Sequence, residues 1–274
     1  MARKFLVLFL LLCGLLPLAR ADDMLVLGVV PYLSARKLAE LYEPMRLQLQ
    51  RSLGAPVLLE SAPDYQAYLA RTRQGRYDII ATSPYFGRLA QLEHGYLPLA
   101  RPLTNLEPLL VTRMDGPQEL EALRGKVIST SDKLANLTLA AHRYLAQNGL
   151  EPGRDVTIRP AGSHANSVQA LLNGESEAAI ISVTAMRQLH PGTTARVRIM
   201  KRLPQTTPLL YLVHKRLGQN RIDVLRSQLL QFANQTEEGK QFCKELGHDG
   251  LKDIAPGDMK ALDPYVQDLK VMLR

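Results

Sequence analysis

The sequence predicts an α/β protein of two lobes, each a mostly parallel sheet flanked by helices, with two strands crossing between them as a hinge. Three observations lead there. Short apolar runs of strand length alternate with helically spaced apolar positions along most of the 274 residues, and such alternation marks sheets built from β-α units. One β-α unit recurs at an offset of 99 to 100 residues, from Gln74 to Asn173 and from Pro108 to Pro208. The composition, 46% hydrophobic and 22% charged, suits a globular core and excludes a disordered or collagen-like chain.

The elements follow in order. Met24–Val30 is a continuous apolar run and reads as a buried strand. Leu38, Leu41, Tyr42, Met45, Leu49 and Leu53 then repeat at helical spacing up to Gly54, with Pro44 expected to split that helix or start its second half. Val57–Glu60 is strand-like, 64–74 helical, Tyr77–Ala81 a strand and 84–93 helical. A strand near 97–100 precedes an apolar run at 106–112. After Gly116-Pro117 the alternation resumes with a strand at Lys126–Ser129, a helix over 134–147 and a strand at Val156–Arg159. A helix over 164–173 follows, then a strand at Ala178–Ile181, a helix over 183–190 and strands at Val197–Met200 and 207–213. From about residue 220 the pattern is mainly helical.

The repeat organises these elements. Gln74-Gly75-Arg76-Tyr77-Asp78-Ile79-Ile80-Ala81-Thr82 parallels Asn173-Gly174-Glu175-Ser176-Glu177-Ala178-Ala179-Ile180-Ile181-Ser182, and each unit later reaches a Pro-Leu-Leu strand, at Pro108 and at Pro208. Two similar lobes follow, the chain crossing at 106–112 and again at 205–211. The expected division is 22–107 for the first part of lobe one, 108–208 for lobe two with its flanking hinge strands, and 209–274 for the rest of lobe one. Two crossing strands imply a cleft that opens and closes.

The chain opens with a leader. Arg3 and Lys4 precede an apolar run from Phe5 to Leu16, and Ala19-Arg20-Ala21 forms a small-residue cleavage site. Residues 1–21 therefore read as a signal peptide cut after Ala21, too short for a spanning helix, and the mature protein is expected to be soluble and exported. Leu12, before Cys13, is not the small residue a lipoprotein site needs. Cleavage removes three of the cations behind the net charge of +8, leaving +5, and leaves Cys243 as a lone thiol. The cations are scattered without interleaved aromatics, so an exported chain of this kind is not a nucleic-acid binder.

Ligands of parallel sheets sit beyond the carboxyl ends of the strands. The residues there are Pro31-Tyr32-Leu33-Ser34, Ser61 to Tyr65, Thr82-Ser83-Pro84-Tyr85, Ser129 to Asp132, Gly162 to Asn166 and Ser182-Val183-Thr184. Nearly every one places a hydroxyl where a helix begins. Several helix N-termini facing one crevice supply free N–H donors and positive dipole ends, a setting for an anion that needs few formal charges. Arg36, Lys37 and Lys133 lie near this crevice in sequence and read as solvated surface cations. No G-x-S-x-G, H-E-x-x-H, P-loop, G-x-G-x-x-G or C-x-x-C motif occurs, and no histidine sits at metal-ligand spacing. An enzyme, a metal site and a cofactor are therefore not expected. His164, in a strand-to-helix loop beside Ser163 and Asn166, is the histidine placed to touch a ligand.

These residues carry a resemblance. Ala62-Pro63-Asp64-Tyr65, Tyr77-Asp78-Ile79-Ile80 running into Thr82-Ser83-Pro84-Tyr85, and Gly162-Ser163-His164-Ala165-Asn166 continuing to Asn173-Gly174 are similar, in order and spacing, to the periplasmic phosphonate, phosphite and phosphate-binding proteins of ABC importers. The resemblance covers about residues 24–215 and implies the two-lobed type II periplasmic-binding-protein fold. It also implies a periplasmic protein that closes on a small anionic ligand, of the phosphonate, phosphite or phosphate class, and hands it to an ABC permease. The alternative is a ligand-sensing subunit that docks on a membrane-bound receptor. Tyr65 and His164 match ligand residues of the family, and Thr82 stands where the family has a tyrosine, with Tyr85 close by. Thr184 and Thr207 stand near acidic positions that hold an amino group in aminophosphonate binders, which argues against an aminoalkyl ligand. The ligand set expected is Tyr32, Tyr65, Thr82, Ser83, Tyr85, Ser131, Asn136, His164, Asn166, Ser182, Thr184 and Thr207, with His164 adding charge when protonated.

Overall fold

The computed structural model describes residues 24–273; the expected leader at 1–21, with its cleavage site, lies outside them. Strands β1 (Leu25–Val29), β2 (Val57–Glu60), β3 (Ile79–Thr82) and β4 (Tyr96–Pro102) enter a first sheet. The second sheet is made from β5 (Pro108–Arg113), β6 (Val127–Thr130), β7 (Thr157–Pro160), β8 (Ala178–Ser182) and β9 (Val197–Arg202). The chain then returns to the first sheet with β10 (Leu210–His214) and β11 (Leu251–Lys252). The orders are β11-β4-β10-β3-β1-β2 and β7-β6-β8-β5-β9. Leaving out the edge strand β11, the two orders are equivalent strand for strand.

The sequence repeat explains this equivalence. Each Pro-Leu-Leu strand pairs with the other unit's strand: Leu109 opposes Ile181 of β8, and Tyr211 opposes Ala81 of β3. The exchange ties the two sheets together. It also corrects the expectation of mostly parallel sheets. β1, β2 and β3 are mutually parallel, as are β6, β7 and β8, but β4, β5, β9, β10 and β11 all pair antiparallel. β5 and β10 arrive from the other sheet rather than over a crossover helix, so nothing requires them to run parallel. The crossings lie earlier than the apolar runs suggested, at 103–107 and 203–209, and Leu106 and Thr206 exchange backbone hydrogen bonds of 3.0 and 2.9 Å where they pass.

Among the described residues eleven α-helical segments flank the sheets: α1 (Ala35–Leu53), α2 (Tyr65–Arg73), α3 (Pro84–Glu93), α4 (Asn136–Gln147), α5 (His164–Leu172), α6 (Val183–Gln188), α7 (Pro191–Thr194), α8 (Gln219–Gln235), α9 (Glu237–Glu245), α10 (Pro256–Lys260) and α11 (Asp263–Met272). Pro44 does not break α1. The bond it forfeits would go to the carbonyl of Glu40, which is on the exposed side where solvent can serve it. α1 buries Leu38, Leu41, Tyr42, Met45 and Leu49, the stripe the spacing foretold, against one face of the first sheet together with α8 and α9. α2, α3 and α11 cover the other face, where the buried Tyr77 ring lies against Gly28 of β1. α4 and α5 cover opposite faces of the second sheet. Leu134, Ala135 and Leu139, from the second half, join the apolar cluster of α2, α3 and α11, so the halves touch through a dry contact beside the crossings. Among the described residues no helix is long and apolar enough to cross a membrane.

Candidate functional site

Between the two sheets lies a cavity of about 90 Å³, lined by Val30, Tyr32, Tyr42, Tyr65, Ser83, Pro84, Leu106, Ala135, Asn136, Leu137, His164, Ser182, Thr184, Leu209, Leu246 and His248. A single ordered water needs only about 10–15 Å³ on this measure, so the space accepts a compact ligand of several heavy atoms. The wall contains no Lys, Arg, Asp or Glu. Arg36, Lys37 and Lys133 are not part of it, and Arg36 instead pairs with Glu40 along α1.

Two kinds of helix start reach this wall. Ser182 is already used, accepting from the Ala185 N–H at 2.9 Å, and Ser163, just before His164, caps Asn166 at 3.1 Å. α3 and α4 differ, because neither Ser83 nor Ala135 gives its helix a side-chain cap. Pro84 brings no N–H and the Thr138 N–H donates to the Ala135 carbonyl at 2.9 Å, which leaves the N–H groups of Tyr85 and Phe86 in α3 and of Asn136 and Leu137 in α4 for another acceptor. Ser83 Oγ is itself buried without a partner, as are Thr82 Oγ1, Ser131 Oγ and His164 Nδ1. An unpaired buried polar atom costs about 1–3 kcal/mol, and two of these belong to residues that line the cavity from opposite sheets, Ser83 and His164.

His164 is 5% exposed, and burial pushes its ring down to about 4, the nearby Ile180 backbone opposing this only in part. It is neutral at pH 7 with Nδ1 free, so in the ligand-free protein it presents a hydrogen-bonding ring and not the charge the sequence allowed for. His248 is likewise held down, to about 4, by burial, against the smaller opposing pull of Asp249. The phenols of Tyr32, Tyr42 and Tyr65 are raised by burial first, and for Tyr65 next by the nearby Asp132. All three are neutral hydroxyls, and Tyr32 donates to Tyr42 at 3.2 Å. The wall is thus uncharged in formal terms and rich in hydroxyl, imidazole and amide groups set among apolar side chains.

The structure brings Tyr32, Tyr65, Ser83, Asn136, His164, Ser182 and Thr184 together on this wall. Thr82, Ser131, Tyr85, Asn166 and Thr207 are not on it. Thr82 and Ser131 are fully buried beside it. Tyr85 turns away to stack on Tyr265 at 4.8 Å. Asn166 faces a separate surface depression with Arg159 and Gln169, its amide donating to the Ala161 carbonyl at 3.0 Å. Thr207 contributes its backbone carbonyl, which accepts the Asn136 amide at 3.1 Å. Thr184 also serves structure, donating to the Leu246 carbonyl at 3.2 Å across the two halves. Tyr42, Leu246 and His248 were not foreseen. Tyr42 falls on the apolar stripe of α1 and reads as core, and His248 follows Gly247 after a helix with no motif around it.

A family model for the periplasmic substrate-binding proteins of phosphonate ABC transporters matches residues 27–259. The chain belongs to that family. Its fold is shared with solved members and neighbours. One is the binding-protein component of an ABC phosphonate transporter from Pseudomonas aeruginosa, with TM-score 0.79, 17% identity, and coverage of 92% of this chain and 89% of that one. Another is a protein from Prochlorococcus marinus solved with methylphosphonate, with TM-score 0.79, 15% identity and coverage of 90% and 98%. A Xanthomonas citri protein bound to chloride gives TM-score 0.73 at 20% identity, covering 92% and 100%. No curated protein sequence matches the chain significantly. The match accounts for the two-lobed architecture and makes the family function, periplasmic substrate binding for an ABC transporter, the frame for the cavity just described.

Proposed function

We propose that this protein captures a small phosphorus oxyanion of the phosphonate class in the cavity between its lobes and presents it to an ABC permease. One observation carries this reading. Ser83 on one side and His164 on the other line a single uncharged wall, each with a buried polar atom, Oγ and Nδ1, that has no partner, beside the uncapped starts of α3 and α4. Hydroxyls and backbone N–H groups would donate to the oxygens, and the apolar wall would take an alkyl substituent. The family membership and the methylphosphonate bound by the Prochlorococcus relative support the ligand class. Nothing on the wall is activated as a nucleophile or paired with a base, so the role is binding without turnover. The working division is 22–107 with 209–274 against 108–208, moving about the crossings at 103–107 and 203–209, after export and removal of residues 1–21.

Calorimetry and thermal shift with methylphosphonate, phosphite, phosphate, sulfate and an aminoalkylphosphonate test this. A ligand at one hundred times its dissociation constant stabilises the native state by about 2.7 kcal/mol, so a phosphorus oxyanion should raise the unfolding midpoint by several degrees. The aminoalkylphosphonate should not, since no carboxylate lines the wall. Failure of every phosphorus oxyanion to stabilise the protein rejects the ligand class.

A further inference from the structure

Helix α11, at the C-terminal end of the chain, is anchored to the first lobe. It buries Val266 and Leu269 against α3, and the Arg88–Asp263 pair at 2.7 Å and the Lys270–Glu93 pair join the same two helices. It also reaches the second lobe. The Arg143 guanidinium of α4 lies 3.9 Å from the centre of the Tyr265 ring and pairs with Asp268 at 2.5 Å. Tyr85 of α3 stacks on the same ring at 4.8 Å with only 9° between the planes. Two groups so close cannot share one face, so Tyr265 is sandwiched between Tyr85 and Arg143. α3 starts at Pro84 and α4 at Asn136, both on the cavity wall, and none of Arg143, Tyr265 or Asp268 touches that wall.

We propose that Arg143, Tyr265 and Asp268 form an interlobe clasp through which α11 holds the lobes closed and sets ligand affinity without touching the ligand. Opening about the crossings carries α4 away with the second lobe while α11 stays with α3, so the cation must leave the ring. The clasp is reversible because it is wet: the Arg143 and Asp268 side chains remain 41% and 56% exposed. An exposed ion pair and a cation over an aromatic ring are each modest contacts. Together they shift a closed–open ratio about five- to thirtyfold, and an apparent dissociation constant follows the fraction of competent molecules.

The test uses the full mature chain. Spin labels go on exposed positions of the two lobes, Asn220→Cys and Glu175→Cys, Cys243 being buried and unreactive. Interlobe distances are measured without ligand, and affinity is measured with methylphosphonate. Arg143→Ala and Tyr265→Leu should lower the closed–open ratio or raise the dissociation constant by about five- to thirtyfold, with Arg143→Lys intermediate and Asp268→Asn milder. Unfolding midpoints show whether the variants are intact. The clasp is overturned if intact Arg143→Ala changes neither the distance ratio nor the affinity beyond twofold, or if affinity falls with an unchanged closed fraction and dissociation rate. If wild-type protein ignores methylphosphonate, the ligand assignment fails and the ligand-free distances alone decide the clasp.

Discussion

Burial of a neutral His164 makes stability depend on pH in a way that can be worked through. The ring titrates near 6.5 in an unfolded chain and is held down to about 4 in the folded protein. Between those values the unfolded state binds more protons, so stability falls as pH falls from 6.5 toward 4 and this group adds no further loss below that. Evaluated at pH 7.5 the contribution is near zero; at pH 5 it amounts to about 2 kcal/mol of lost stability. The ring is 5% exposed, so solvent screening removes little of this. Urea unfolding of wild type and His164→Gln at both pH values isolates the effect. His248, shifted the same way by burial, is present in both proteins and cancels. The wild type should lose about 2 kcal/mol more than the variant between pH 7.5 and pH 5. Equal losses in the two proteins would refute the buried, neutral assignment. A bound anion at Nδ1 reverses the sign for the ring, favouring its protonated form, so saturating ligand should shrink the wild-type loss at pH 5.

Three further outcomes follow from the same geometry. Ser83→Ala removes a buried hydroxyl that has no partner; ligand-free stability should hold or rise by up to about 1 kcal/mol while oxyanion affinity falls about tenfold, and Asn166→Ala should leave calorimetric affinity unchanged. Gly28→Ala would set its Cβ 2.4 Å from Cγ of the buried Tyr77 ring, so denaturant unfolding should show a loss of about 1–3 kcal/mol from overpacking. Asp258→Ala strips Arg101, 7% exposed, of its 3.1 Å ion pair but leaves the Asn105 bond at 2.7 Å. The expected loss is about 2–3 kcal/mol, less than for a fully buried pair because Asp258 is partly exposed.

Much of the fold was legible because it rests on periodicity. The stripe from Leu38 to Leu49, the strand ends at Thr82 and Ser182, and the internal repeat are one-dimensional signals. The candidate wall was legible where a residue's place in a helix start sets its direction. His164 opens α5 and points inward; Asn166, two residues on and about 200° around the helix axis, must point outward. Pro84 meets the cavity and Tyr85, one step on, turns to α11. Thr82 and Ser83 part company because neighbouring residues at a strand end take opposite faces. The polar residues of one loop therefore divide between the cavity and the scaffold according to these rotations. Tyr42 and His248 were out of reach for another reason, since they come to the wall from elements packed behind the strands, and no local pattern records that.

Strand–helix alternation in two related halves, and hydroxyls and one histidine standing where helices begin, can be read along the chain. Those are local properties, written in spacing and in the chemistry of single residues. Which unit each Pro-Leu-Leu strand pairs with, and the antiparallel run of the crossing strands, come from the folded packing. It alone decided that His164 is neutral and that Arg143 meets Tyr265. Each of these depends on contacts between residues far apart in the chain, where burial sets a pKa and packing sets a partner, and no spacing along the sequence encodes either.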